Sequence, residues 1–207
     1  MRRPLLLPGR PRRVTGVGGC LRTSSPTVPR PAPRRPDQPH VASTRLARVD
    51  AFTAIASKRD ERRYADRPIP EDALERILDA GRLSGSSQNK QEWEFVVVSD
   101  RDAFAETVYA PHNVRTAAIV IAIICPRAFD VGRAAQNMML AAWGEGIVSC
   151  PNGVADASAA AEQIGGAPAI VLSFGYPERP RDPDSRSPEE WSRRANRKPL
   201  DEVSRRV

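Results

Sequence analysis

Histidine is almost absent from the 207 residues, with only His40 and His112. A nucleophile–histidine–acid device would have to use His112, a lone residue beside Pro111, so hydrolase chemistry is disfavoured. Cysteine is equally scarce. Cys20, Cys125 and Cys150 are odd in number, widely spaced and without a C-x-x-C pair, which argues against a disulfide framework and a structural zinc site. A reducing cytoplasm is the compartment this usage suggests. Long apolar runs are missing as well: the most apolar one, Ala117 to Cys125, ends at Pro126 after nine residues, against the ~20 that a spanning helix needs. No membrane association is expected. The sequence also lacks a G-x-G-x-x-G opening a helix, a Walker loop and an H-E-x-x-H motif, so the common nucleotide and zinc-protease fingerprints are excluded.

Basic charge is present, but it is confined. The net charge is +7; residues 1–40 hold nine Arg and one acid, a net of +8, which leaves −1 for everything after them. The same forty residues hold nine of the 20 prolines and no apolar periodicity, a composition that cannot offset the entropy of ordering. Residues 1–43 are therefore expected to be a disordered Arg/Pro-rich extension. Pro8 cuts the Leu5-Leu6-Leu7 run far short of a secretory core, and the prolines oppose the amphipathic helix of a transit peptide. Nucleic acid is disfavoured as a partner because no aromatic residue before Phe52 is available to stack on a base.

Residues 44–207 read as one domain of alternating helices and strands. Ala51 to Lys58 predicts a short helix. Pro68-Ile69-Pro70-Glu71-Asp72 predicts a helix start with Pro70 in the first turn, and Leu74, Ile77, Leu78 and Gly81 give it one apolar face running to about Leu83. Phe95 to Val98 and Ala118 to Ile124 predict two central strands, the second buried on both faces. Asp100 to Tyr109 suggests a helix, followed by a break at Pro111-His112-Asn113. Asp130 to Trp143 is apolar nearly all round and predicts a buried helix ended by Gly144-Glu145-Gly146. Asp156 can cap a helix to Ile164, and Ala169 to Gly175 predicts a third strand. The last 30 residues, polar and rich in Arg and Pro, are expected to lie across a surface. The fold class is α+β, a helix-flanked sheet.

Three clusters carry possible chemistry. Lys58-Arg59-Asp60-Glu61-Arg62-Arg63-Tyr64 offers guanidinium forks suited to an anion such as phosphate. Ser86-Ser87-Gln88-Asn89-Lys90-Gln91-Glu92-Trp93 offers amides that both donate and accept, as the edge of a heterocycle requires. Arg197-Lys198-Pro199-Leu200 sets a basic pair before an apolar anchor. Cys150 has no cation beside it in sequence and reads as a small packed residue.

Taken in order with Pro68-Ile69-Pro70, Gln136-Asn137, Gly146-Ile147-Val148-Ser149 and Gly175-Tyr176-Pro177, these clusters resemble the FMN-dependent nitroreductase family over residues 50–203. The resemblance implies a nitroreductase-like mixed sheet flanked by helices, and a homodimer with flavin at the subunit interface. It implies non-covalent FMN, with NADH or NADPH as donor and a small electron-poor acceptor such as a nitroaromatic or quinone reduced by a ping-pong cycle. Lys58, Arg59, Arg62 and Arg197 would approach the FMN phosphate and ribityl chain. Ser86, Ser87, Asn89 and Gln91 would meet the ribityl chain and ring edge. Pro151, Asn152 and Gly153 would lie by the isoalloxazine and offer it backbone N–H groups. No protein residue is expected to act as a catalytic acid or base, because the flavin carries the chemistry.

This sequence departs from the family pattern at four places. Asp60 stands where a Ser is usual and is read as an ionised group that either orients the neighbouring arginines, the favoured reading, or repels the phosphate directly. Lys58 exchanges a guanidinium fork for a point charge. Gly85 and Glu92 replace prolines, which is expected to loosen the loop beside the ring. Asp60 also resembles the branch of the superfamily that destroys flavin with oxygen. Flavin modification is therefore the alternative reaction, and a non-catalytic flavin-binding protein the alternative role.

Overall fold

The computed structural model describes residues 50–207. The extension expected at 1–43 and its boundary with the domain lie outside the described residues. Helix α1 (Ala51–Ser57) begins where the Asp50 carboxylate accepts hydrogen bonds from the N–H groups of Phe52 and Thr53 at 2.9 and 3.1 Å. Helix α2 (Glu71–Arg82) follows Pro70, which caps the helix in an extended conformation instead of entering its first turn. Its expected apolar face is the observed one, with Ala73, Leu74, Ile77 and Gly81 buried. A Cβ at Gly81 would sit 2.9 Å from the Phe95 ring and 3.0 Å from Met138 Cγ, so glycine permits the close approach at this point.

Strands β1 (Glu94–Val97), β2 (Ile119–Ile124), β3 (Val148–Asn152) and β4 (Ile170–Gly175) form one sheet in the order β1-β2-β4-β3, every pair antiparallel. Among the described residues the parallel component is a single bridge, Asp60 to Ser149, on the edge of β3 away from β4. Helices α3 (Arg101–Ala105) and α4 (Pro111–Arg115) lie between β1 and β2, α5 (Ala128–Gly144) between β2 and β3, and α6 (Ala157–Ile164) between β3 and β4. Because β2 alternates apolar residues on both faces, two cores form. Ile121, Ile123, Leu172 and Phe174 pack with Leu74, Ile77 and Met138 beneath α2 and α5. Val120, Ala122, Val148 and Val171 pack with Phe104, Val114 and Ala160 on the opposite face.

Three further expectations are corrected. Strand β1 is an edge strand, with Val97 42% exposed. Pro111 opens helix α4 instead of breaking the chain, since the first turn does not need its missing N–H. Strand β3 was not expected; Pro151 disguises it, but an edge strand tolerates proline. The last 30 residues lie at the surface as expected, and they hold α7 (Pro188–Arg194) and α8 (Leu200–Val203), neither with a buried residue. Helix α7 starts with a capping box in which Ser187 Oγ accepts from Glu190 N–H and Glu190 Oε2 accepts from Ser187 N–H, and it packs on α1. Among the described residues no helix is long and apolar enough to cross a membrane.

The difference between centre and edge is measurable. Ile121→Ala, at a fully buried position, is expected to lower unfolding free energy by about 2–5 kcal/mol in denaturant titration. Val97→Ala is expected to lower it by less than about 1 kcal/mol. Equal losses would contradict this sheet order.

Candidate functional site

The basic segment leaves α1 at its C-terminus and is fixed against β3 by the Asp60–Ser149 bridge and by Glu61 N–H donating to Ser149 O at 3.1 Å. Lys58 is almost wholly buried. Its Nζ lies 2.5 Å from Asp60 Oδ1 and 3.4 Å from Met139 Sδ on α5. Asp60 is thus partnered by the lysine, not by an arginine, and the group it positions is the Lys58 ammonium. A buried ammonium needs a counter-charge, which a serine at position 60 would not supply.

Arg59 is also committed locally. Its Nη1 donates to Ala56 O and Lys58 O and its Nη2 to Trp191 O, each at 2.7 Å, while the guanidinium carbon lies 5.6 Å from the Trp191 ring centre. Burial, and then the charge of Arg197, push its pKa down from the ordinary guanidinium value. Trp191 is a site residue that the sequence reading missed. Its signal was the Ser187-Pro188-Glu189-Glu190 helix start four residues earlier.

Arg59, Arg62, Arg63 and Arg181 line a cavity of about 430 Å³ that also holds Asp60, Glu61 and the two rings of Trp143 and Trp191. Glu61 is occupied by Arg181 at 2.6 and 2.9 Å, and Asp60 by Lys58. Arg62 and Arg63 therefore give the cavity a positive surplus, and both are exposed. Arg59 also lines a second cavity, of about 580 Å³, shared with Arg197, Phe52, Ile55 and Leu200. The fold thus brings Arg59 and Arg197 together at this neighbouring opening, while Arg197 does not line the cavity that holds Arg62 and Arg63.

The fold supplies the cations that the sequence did not set beside Cys150. Burial raises the thiol's pKa, while Arg62 and Lys58 act in the opposite direction. Cys150 itself is fully buried, as expected of a packed residue.

Beyond it, Pro151 has no N–H to offer and the Asn152 N–H is directed to β4 opposite Val171, so of the three only the backbone donor of Gly153 is left. The Asn152 side chain is spent internally. Its Nδ2 donates to Cys150 O and Ser173 Oγ, both at 3.0 Å, and its Oδ1 accepts from Asn113 Nδ2 at 2.9 Å. Ser173 Oγ in turn lies 2.8 Å from the Tyr64 hydroxyl, whose pKa burial raises well above the ordinary phenol range. Gly153 lies beneath the Tyr109 ring, and a Cβ there would meet Cδ2 of that ring at 3.1 Å.

The amide loop lies elsewhere. Ser87 to Asn89 make a 3-10 turn, with Gln88, Asn89 and Gln91 at φ of 53°, 54° and 52°. Three non-glycine residues in the left-handed region cost of order 1 kcal/mol or more each and need support. Ser86 Oγ accepts from Gln91 N–H at 2.9 Å, and the buried Asp130 carboxylate of α5 accepts from Ser87 N–H at 3.1 Å. The side chains of Asn89 and Gln91 are exposed. Asp130 touches this loop and Met139 touches Lys58, and between them α5 rises about 14 Å. Within one chain the loop and the basic segment are therefore not brought together. Among the described residues no cluster of His, Cys, Asp or Glu is arranged to hold a metal ion.

With this geometry in hand, the relationships of the chain are clear. The model of the nitroreductase family matches residues 55–118 and 127–176, more than half of the sequence, and the chain belongs to that family. A Methanothermobacter thermautotrophicus protein provisionally named NADH dehydrogenase/NAD(P)H nitroreductase is 29% identical over 174 residues, 71% of this chain and 91% of its own. Two solved structures share the fold. A nitroreductase family protein of Clostridium difficile 630 has a TM-score of 0.62 at 19% identity, covering 76% of this chain and 98% of its own. A provisionally named nitroreductase of Desulfovibrio desulfuricans, solved in complex with FMN, has a TM-score of 0.58 at 23% identity, covering 77% of this chain and 98% of its own. The chain is accordingly an oxidoreductase of the nitroreductase family.

The Lys58–Asp60 pair gives a direct prediction. Asp60→Ser in flavin-free protein is expected to lower the unfolding free energy by about 1–2 kcal/mol, between the values of exposed and buried pairs, since Asp60 is half-exposed. Adding Lys58→Met should recover most of the loss. A double variant as unstable as the single one would show that the buried charge is not the cause.

Proposed function

We propose that the protein binds FMN without covalent attachment and uses NADH or NADPH to reduce a small electron-poor acceptor, a nitroaromatic or a quinone, in a ping-pong cycle. The observation that carries this reading is the cavity beside β3, where exposed guanidinium groups outnumber free carboxylates and two tryptophans supply apolar walls. A phosphate fits that donor set, because forks at Arg62 and Arg63 can bind its oxygens bidentately. When bound, FMN supplies the acceptance and delivery of hydride, and no protein group need move a proton.

The chain's own residues hold and orient. Arg62 and Arg63 hold the phosphate. Lys58, neutralised by Asp60, adds no free charge and instead anchors the basic segment on α5 through Met139. Arg59 ties α1 to α7, so that Trp191 and Arg197 stay beside the cavity. The backbone N–H of Gly153 faces the ring, kept in place by the internal hydrogen bonds of the Asn152 side chain before it.

The protein acts as a homodimer. Phe52, Ile55, Leu200 and Val203, 58–76% exposed on α1 and α8, supply an apolar face for a second copy. The roughly 14 Å separating Ser87 from Lys58 along α5 is met if each chain lends its amide loop to the other's flavin. Cys125 and Cys150 as free thiols accord with a reducing cytoplasm. One observation favours a second reading: Lys58 is already paired with Asp60, which weakens its hold on an anion and suits a flavin site without turnover.

Anaerobic titration with NADH and NADPH separates the two readings. Prompt bleaching of bound flavin, followed by reoxidation with a nitroaromatic or quinone, is expected of the oxidoreductase. Flavin that stays oxidised with both donors would leave the non-catalytic reading. Arg62→Ala is expected to raise the FMN dissociation constant about ten- to a hundredfold with an unchanged unfolding midpoint. Arg59→Ala should in addition lower the midpoint, because it releases α7.

A further inference from the structure

One side of α5, with the Arg127 that precedes it, carries polar residues at 127, 130, 133 and 137, a 3-3-4 spacing that stacks them in one row. Each meets the amide loop, in reverse order along the chain. The Arg127 guanidinium donates to the Glu92 carboxylate, the Asp130 carboxylate accepts from Ser87 N–H at 3.1 Å, and Asn137 Nδ2 donates to Ser84 Oγ at 2.8 Å. Arg133 lies across Gly85 so closely that a Cβ there would fall 2.3 Å from its Nη2, and Phe129 supports the guanidinium from 5.7 Å. Asp130 is 3% exposed, a buried carboxylate turned toward one backbone N–H of a loop that holds three left-handed non-glycine residues.

We propose that this seam is an ionic clamp, in which Arg127, Asp130 and Arg133 are positioning residues that set the conformation of residues 84–92 and so present Asn89 and Gln91 to the ligand. The proposal rests on the FMN reading for the identity of that ligand, and on the seam alone for the clamp. It explains the two replacements that were expected to loosen the loop. Glu92 gives Arg127 its anion, and Gly85 leaves room for Arg133, whereas a proline ring at 85 would collide with the guanidinium. Rigidity that a proline supplies covalently is supplied here by charge, which makes the loop sensitive to salt.

The test uses the full chain and a charge swap at the half-exposed pair, where folding is not at risk. Amide hydrogen exchange at Ser87, Asn89, Lys90 and Gln91 is read without flavin, and the FMN dissociation constant is read beside it at low and high salt. Arg127→Glu is expected to speed exchange at these four amides and to raise the dissociation constant about two- to fivefold at low salt, with less difference at high salt. Adding Glu92→Arg should restore both. Asp130→Ala should have the larger effect, about ten- to a hundredfold in exchange. Unchanged exchange in Arg127→Glu and Asp130→Ala, or no restoration in the swap, overturns the clamp. Faster exchange with an unchanged FMN dissociation constant upholds the clamp and overturns the loop's place in the flavin site.

Discussion

The burial of α5 is the interaction on which the rest of the molecule depends. Its inner face packs Val131, Ala135, Met138 and Ala142 against α2 and the sheet. Near its end, Trp143 reaches the opposite core and donates from Nε1 to Ser57 Oγ at 2.9 Å, which fixes the end of α1. Met139 then meets the Lys58 ammonium, and Asp130 meets Ser87. One helix thus sets the position of the basic segment and of the amide loop, and the distance between them follows from its rise.

Charge is arranged around that helix in two ways. Inside, each buried charge has one dedicated partner: Asp60 for Lys58, and a backbone N–H for Asp130. Outside, guanidinium groups are left in surplus where the cavity opens. The first arrangement holds the fold together, and the second is what the proposed binding of an anion rests on. Arg59 does both. Its donors are taken up by carbonyls and its face by Trp191, yet its charge still contributes to two cavities.

Much of this was legible in the sequence. Helix α2, strand β2 and helix α5 carry strong periodic or continuous apolar patterns, and the structure keeps them with ends shifted by a residue or a few. Strand β3 was hidden because Pro151 masks a run whose other residues, Val148 to Cys150, are buried by tertiary contacts. The edge position of β1 was hidden because Phe95 to Val98 are as β-branched and apolar as a central strand, and only pairing distinguishes the two. In the site, the basic and amide clusters were visible as residue types. Their partners were not: the Lys58–Asp60 pair, the Trp191 contact and the seam on α5 join residues up to 132 positions apart. Reading α5 as apolar nearly all round concealed the polar row at 127, 130, 133 and 137.

The central claim is that the guanidinium surplus beside β3 binds the phosphate of FMN. Equilibrium binding of FMN and of riboflavin, which lacks the phosphate, to flavin-free protein tests it most directly. The account predicts tight binding of FMN, riboflavin weaker by about a hundredfold or more, and a gap between them that narrows as salt is raised. Equal affinity for the two flavins at low salt would contradict it.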